Sequence, residues 1–373
     1  MKYYIIAGEA SGDLHASNLM KELKERDGDA DFRCWGGDLM SAQGGQLVKH
    51  YRELAFMGFV EVLLNLRTIL RNMKFCKQDI LKYKPDVLIL VDYPGFNLRI
   101  AKFAADHGFR VFYYISPQVW AWKKSRVHKI KKYVERMFVI LPFERDFYGR
   151  YDFDVDFVGH PLLDAIPAGE EDPGFRKKAG LDNRPVIAVL PGSRKQEIRK
   201  MLPLMTSMKD HFPEYQFVIA AAPSVPKEYY RSLTGGADIR IVSGEMHDLL
   251  RLAHAAMVTS GTATLETALF RVPEVVCYKG GWLSYYIARK LVVDIEYISL
   301  VNLIMNRQVV KELIQSEFRL EKLKEELGRL ISDQQYRSDM LAGLDELHQR
   351  LGGPGASAKT AELMMNRLEG KAD

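Results

Sequence analysis

Apolar residues along the chain fall into short continuous runs separated by longer amphipathic stretches. Tyr3–Ala7 is a β-rich run that stops at Gly8. Leu14–Glu25 follows as a helix, with Leu14, Leu19 and Leu23 near one face. Phe32–Trp35 is a second short strand. Glu61–Tyr83 is helical and unusually apolar at its start, and Val87–Val91, after Pro85, is a buried strand. Leu98–His107 is a helix closed by Gly108, Val111–Ile115 a strand, Arg126–Arg136 a basic helix and Met137–Leu141 another strand. Strands alternating with helices predict a parallel sheet covered on both faces.

The pattern then restarts. Val186–Leu190, Gln216–Ala221, Ile239–Val242, Ala255–Thr259 and Val275–Tyr278 are strand-like. Between the two series, Gly159–Asp172 carries Pro161, Pro167, Gly169 and several acidic residues, the composition of a linker. The chain is therefore expected to be α/β, with one Rossmann-like domain over 1–163 and a second over 164–350. From Glu317 the sequence is helical and polar. It breaks at Gly352-Gly353-Pro354-Gly355, and a last helix near 354–369 is expected to pack back on the first domain. In open parallel sheets ligands bind beyond the carboxyl ends of the strands. That singles out Gly8–Asp13, Asp92–Asn97, Ser116–Trp122, Pro191–Glu197 and Ser260–Glu266, with the site expected in a cleft between the domains.

Composition sharpens this picture. A length of 373 residues fits two domains, and an apolar fraction of 47% can build two cores. The net charge of +5 admits an anionic partner but does not argue for nucleic acid, whose binding modules are absent. Cys34, Cys76 and Cys277 are far apart and odd in number, against a disulfide framework or a zinc site. The opening apolar run is too short for a secretory signal. No stretch approaches the roughly 18 apolar residues of a membrane span. Membrane contact would be peripheral, at the apolar Phe56–Val60 and Leu63–Leu70 region or at Trp120 and Trp122 with the basic run from Lys123 to Lys132. A core helix and a solvated helix face are the plain alternatives for those two segments.

Five loops carry candidate chemistry, each with a structural alternative. Ser260–Glu266 follows a strand and opens a helix. Its small residues and free N–H groups suit a diphosphate, Thr262 and Thr264 add hydroxyls, and Glu266 suits ribose hydroxyls; a helix cap explains the same residues. Gly192, Ser193 and Arg194 suit a phosphate, or a surface turn. Gly8–Asp13 lacks the dinucleotide GxGxxG, and Glu9 and Asp13 would repel a diphosphate. This loop suits sugar or acceptor hydroxyls, with Asp13 also a cap for the next helix. Asp92 at the end of a buried strand suits a general base, or a brace for the Pro94-Gly95 turn. Asp154-Val155-Asp156 is a D-x-D read as solvated strand rather than metal site. Nucleophile-elbow, P-loop and zincin motifs are absent.

These stretches, in this order, resemble the lipid-A-disaccharide synthase family: GEASGD at 8–13, MGFVEV at 57–62, DYPGFN at 92–97, YYISPQVWAW at 113–122, LPFE at 141–144, GHPLLD at 159–164, LPGSR at 190–194, TSGTATLE at 259–266 and SLVNLI at 299–304. The resemblance runs from near residue 4 to about 315. It implies a GT-B fold and transfer of 2,3-diacylglucosamine from its UDP conjugate to 2,3-diacylglucosamine 1-phosphate (lipid X), with inversion, no cofactor and no metal. The implied catalytic base is Asp92. Arg194, Ser193, Gly261, Thr262, Glu266 and Asn302 fall on the nucleotide side. Glu9, Ser11, Asp13, Asn97, Ser116 and Gln118 fall on the acceptor or sugar side. It further implies a cytoplasmic protein peripheral to the inner membrane, and leaves room for a homodimer. Two departures stand out: Gly95 where relatives carry a second acidic residue, and Val301 where they carry proline before Asn302. The rivals are a UDP-N-acetylglucosamine 2-epimerase on the same fold and an inactive membrane-surface scaffold.

Overall fold

The computed structural model describes residues 1–54, 66–120, 125–166, 172–236, 238–280 and 296–371. The chain forms two compact units, Met1–Ala165 with Leu351–Asp373, and Ile166–Arg350. The strands of the first are β1 (Lys2–Ala7), β2 (Asp31–Gly36), β3 (Gln46–His50), β4 (Val87–Val91), β5 (Arg110–Tyr114), β6 (Arg136–Val139) and β7 (Asp156–Phe157). Those of the second are β8 (Val186–Leu190), β9 (Gln216–Ala221), β10 (Arg240–Ser243), β11 (Ala253–Thr259), β12 (Glu274–Tyr278) and β13 (Lys311–Ile314).

Both sheets are parallel and both reverse direction once. The first runs β3-β2-β1-β4-β5-β6-β7 and the second β10-β9-β8-β11-β12-β13. The reversals lie between β1 and β4, registered through Ala7 and Val91, and between β8 and β11, registered through Leu190 and Val258. At such a switch point the loops of neighbouring strands diverge to opposite faces and open a crevice.

Central strands are covered on both faces, so they read as unbroken apolar runs. Every residue of β4 and of β8 is buried, and each Val, Leu or Ile so placed contributes about 1.5–3 kcal/mol. The edge strands β3, β7 and β13 are half-buried and polar, which is why apolar runs did not reveal them. Helix starts also differ from expectation. Ala10–Arg26 begins ahead of Leu14, and Pro94–Asp106 begins at a proline whose fixed φ suits the first helical position. The basic helix is Arg126–Tyr133, and Arg136 already belongs to β6.

Helix Leu66–Tyr83 is tied to the first sheet by a buried polar group. Asp79 accepts the Tyr4 hydroxyl at 2.7 Å and both arms of Arg33, at 2.7 and 2.6 Å, while Trp35 Nε1 donates to the Tyr4 hydroxyl at 2.8 Å. The chain's last helix, Ala356–Glu369, lies against Ala10–Arg26 in the first unit. It buries Ala361, Met364 and Met365, and the Asp164 carboxylate accepts the N–H groups of Gly355, Ala356 and Ser357 at its start. Among the described residues no helix is long and apolar enough to cross a membrane.

Candidate active site

The switch point of the first sheet is built from the ends of β1 and β4. Gly8 has no room for a side chain, because a Cβ there would meet the Tyr93 ring at 2.4 Å. The backbone turns sharply after the strands: Asp92, Tyr93 and Ile115 have φ of 44°, 49° and 64°. Left-handed backbone at non-glycine residues costs on the order of 1–3 kcal/mol each and persists only where neighbours enforce it. Asn97 and Tyr113 enforce it here. The Asn97 amide donates to the Asp92 carbonyl at 2.8 Å and to the Val91 carbonyl at 3.2 Å, and the Tyr113 hydroxyl donates to the same Asp92 carbonyl. These bonds grip the peptide of Asp92, while its carboxylate accepts the Tyr93 N–H. Burial, then the nearby charge of Glu9, pushes that carboxyl up to about 6. At neutral pH it is a carboxylate with raised proton affinity, the property a general base needs.

The switch point of the second sheet opens into a cavity of about 570 Å³. Its walls include Gly192 and Ser193 after β8, Gly244 to Asp248 after β10, and Ser260 to Ala263 with Glu266 after β11. Gly192 has φ of 103°, and a Cβ there would sit 2.9 Å from Glu197 Oε2, so the tight turn after β8 requires glycine. Helix Thr262–Leu269 starts in the wall of the cavity. The N–H groups at its start and its dipole favour an anion. Glu266 lies one turn in, with His247 Nε2 3.4 Å from its Oε1. The His247 ring lies over Phe270, centroids 5.2 Å apart. The cavity thus offers an anion end and a carboxylate end, the polarity of a nucleotide diphosphate and its ribose.

The lipid-A-disaccharide synthetase family model matches residues 3–359. The chain belongs to the lipid-A-disaccharide synthetase family. The lipid-A-disaccharide synthase of Myxococcus xanthus is 39% identical over 98% of this chain and 97% of its own, and that of Geobacter sulfurreducens 37% identical over 98% and 96%. Among solved structures, UDP-GlcNAc 2-epimerase from Neisseria meningitidis bound to UDP-GlcNAc is similar with a TM-score of 0.68, 12% identity and coverage of 98% of this chain and 100% of its own. The calicheamicin glycosyltransferase CalG4 is similar with a TM-score of 0.62, 16% identity and coverage of 98% of both chains. The fold is GT-B, two parallel-sheet α/β units, and the family is one of glycosyltransferases.

Against the residues implied by family resemblance, the structure sorts the candidates by what their side chains touch. Ser193, Gly261, Thr262 and Glu266 line the cavity of the second unit. Arg194 is 57% exposed, starts helix Lys195–Ser207 and pairs with Glu197 at 3.2 Å. Asn302 is fully buried and its amide is spent inside the protein. It donates to the Val310 carbonyl at 2.8 Å and Glu312 at 2.9 Å, and accepts from the N–H groups of Val309 and Val310. These bonds take up both its donor and its acceptor atom. Asn302 fixes the segment 298–302, whose Ile298 carbonyl accepts the Ser260 hydroxyl. Asp13 is likewise buried, and its carboxylate caps the neighbouring helix Asp38–Ala42 through the N–H groups of Gly37, Leu39 and Met40, rather than its own helix. Asn97 is a brace, as above. Ser116 is buried against the Tyr148 hydroxyl, while Ser11 and Gln118 are exposed and Glu9 is half-buried.

Sequence reasoning missed His247, Glu312 and Glu144. His247 was detectable in principle, because it follows the turn after a strand, where open parallel sheets bind their ligands. Glu312 lies on an edge strand that gave no apolar signal. Asp156 of the D-x-D is engaged by Arg136 at 2.6 and 3.0 Å. Among the described residues no group of three or more His, Cys, Asp or Glu is placed to hold a metal ion. The apolar residues Phe56–Leu64 and the stretch Ala121–Lys124 lie outside the described residues.

Proposed function

We propose that this chain performs the family's transfer, with the base supplied by the first unit and the nucleotide held by the second. The reaction joins 2,3-diacylglucosamine from UDP-2,3-diacylglucosamine to the 6-hydroxyl of 2,3-diacylglucosamine 1-phosphate. It gives the β-1,6 disaccharide 1-phosphate and UDP. The observation that carries the division of labour is Asp92, a carboxyl raised to about 6 at the switch point of the first sheet. Its carboxylate takes the proton of the acceptor hydroxyl as that oxygen attacks C1 of the donor. The bond from C1 to the UDP oxygen breaks, and the charge gathering on UDP is met by the N–H groups that open helix Thr262–Leu269, by the Ser193 hydroxyl and by Arg194. Glu266 takes the ribose hydroxyls. The carbon inverts because the nucleophile enters opposite the departing phosphate.

The acylated substrates belong to a membrane, and helix Leu66–Tyr83 supports peripheral contact with one. Leu66 and Leu70 are 48% and 59% exposed and alternate with exposed Arg67, Arg71 and Lys74, an apolar and basic mixture suited to an anionic lipid surface. On this reading the enzyme works at the cytoplasmic face of the inner membrane. The deciding experiment incubates purified protein with UDP-2,3-diacylglucosamine and the 1-phosphate acceptor and identifies the product by mass. The disaccharide 1-phosphate with equimolar UDP is expected. Epimerisation of unacylated UDP-N-acetylglucosamine, with no disaccharide, would replace this reading by the epimerase one.

A further inference from the structure

The helix Pro142–Gly149 follows β6 and starts without a polar cap at Leu141. Glu144, at its third position, reaches back and accepts the Leu141 N–H at 3.0 Å, half of an ordinary capping arrangement. A capping glutamate normally keeps its other oxygen in water. This one is 1% exposed, and its second oxygen accepts Trp120 Nε1 at 3.3 Å from the loop after β5. β5 and β6 are paired neighbours, so the helix stands beside that loop and holds it at both ends. Tyr148, one turn on from Glu144, meets the Ser116 hydroxyl at 2.8 Å. Phe143 meets the Trp120 ring edge-on, centroids 5.0 Å apart. Between the two clamps Gln118 is exposed. The loop begins at the left-handed Ile115, a conformation that a β-branched residue keeps only under constraint, and the preceding Tyr114 carbonyl accepts the Asp92 N–H at 3.2 Å.

We infer that Glu144 is a positioning residue for acceptor binding: its carboxylate locks the loop 116–120 in the shape that presents Gln118 and the neighbouring backbone to the acceptor sugar. The inference rests on the reading that the first unit receives the acceptor. The Leu141 and Ile140 N–H groups, the Ser116 hydroxyl and the Trp120 indole converge on this side chain, with Leu141 on one oxygen and Trp120 on the other. A neutral carboxylic acid spends one oxygen on its own O–H. Burial pushes Glu144 up to about 7, so the acid form weakens the clamp below that pH and the carboxylate completes it above. The other groups facing it are the Ser116 and Tyr148 hydroxyls and the Trp120 indole, none of which changes charge in that range.

The test is Glu144→Gln in the full-length enzyme, with Trp120→Phe alone and combined with it. Glutamine keeps one accepting oxygen and puts an NH2 in place of the other, so the donor on that side, Leu141 N–H or Trp120 Nε1, faces another donor. The acceptor KM should rise on the order of tenfold, with the Kd of UDP unchanged. The ionisation near 7 in kcat/KM for acceptor should vanish, while the one near 6 assigned to Asp92 remains. The double variant should lose less than the sum of the two single losses, because the Glu144–Trp120 contact is shared by both. An unchanged acceptor KM and pH profile in a folded Glu144→Gln variant would overturn the inference. So would an equal loss of UDP affinity, which marks a general structural role. A parent enzyme that makes no disaccharide would instead remove the functional reading beneath it.

Discussion

Replacing Asp92 by asparagine should stop catalysis and make the protein more stable. The turn at Asp92 is held through its carbonyl, by Asn97 and Tyr113, and neither bond involves the carboxylate. Asparagine keeps the side-chain shape and is one of the residues that best tolerates positive φ. Folding lifts the Asp92 carboxyl from 3.8 to about 6. A carboxyl raised in the folded state favours the fold fully below its unfolded value. That stability is lost as pH climbs from about 4 through about 6, so at neutral pH the ionised group is a burden. Allowing for the solvent that reaches the side chain, the burden is on the order of 1–3 kcal/mol, and asparagine relieves it. Loss of the base costs about 10²–10⁴-fold in rate, whereas UDP, held by the other unit, should bind as before. Melting temperature, UDP affinity by calorimetry and single-turnover rate on one preparation give the answer, and kcat/KM of the parent should rise with pH through about 6. A variant that melts lower and turns over at the parent rate per folded molecule would show that Asp92 only braces its turn, and the base would have to be sought at Glu9.

Asn302→Ala should cost on the order of 3 kcal/mol by stranding buried partners and lower melting temperature and UDP affinity together; weaker UDP binding with unchanged melting would make Asn302 a direct ligand. Leu66→Ser with Leu70→Ser should reduce co-sedimentation with anionic vesicles at unchanged melting temperature, and what binding is left should fall with salt; parental binding would remove this helix from the membrane surface. Glu274 is fully buried and, among the described residues, neither of its oxygens has a hydrogen-bond partner, and burial raises its carboxyl well above the usual range, so Glu274→Leu should stabilise by about 1–3 kcal/mol. Because the cost of a raised carboxyl grows with pH, that gain should be larger at pH 8 than at pH 4 in chemical denaturation, and a pH-independent loss would contradict it. Turnover should persist in excess chelator; activity lost there and restored by magnesium or manganese would return attention to Asp154 and Asp156.

What the sequence made legible was what apolar patterning and local turn chemistry encode. Val87–Val91 declared itself because a central parallel strand has no polar face, and the loops beyond such strands then named Asp92, Ser193 and the Ser260–Glu266 segment. Residues whose work is done through a distant partner stayed hidden. Asp13 looks like the cap of its own helix, and only the path of the chain brings helix Asp38–Ala42 to it. Asn302 sits in a motif that the family resemblance assigns to the nucleotide, yet its amide is closed by the turn 309–310 and by Glu312 on an edge strand with no apolar signature. Glu144 reads as an ordinary third-position glutamate, and nothing local shows that its second oxygen will be sealed against Trp120.

The helix Ala356–Glu369 completes a unit that the chain began at its first strand, and this sets an order of events during synthesis. Residues 166–350 contain all of the second sheet and can close as soon as Arg350 has left the ribosome. The first unit cannot. The face of helix Ala10–Arg26 that this last helix will cover, and the Asp164 carboxylate that waits for Gly355, Ala356 and Ser357, stay open until that helix emerges. The half made first is therefore finished last. For the time it takes to translate the whole second unit, the nascent protein carries an uncovered apolar groove of the kind that chaperones guard. A message truncated after Arg350 would leave a second unit with its full sequence beside a first unit that never gains its closing helix.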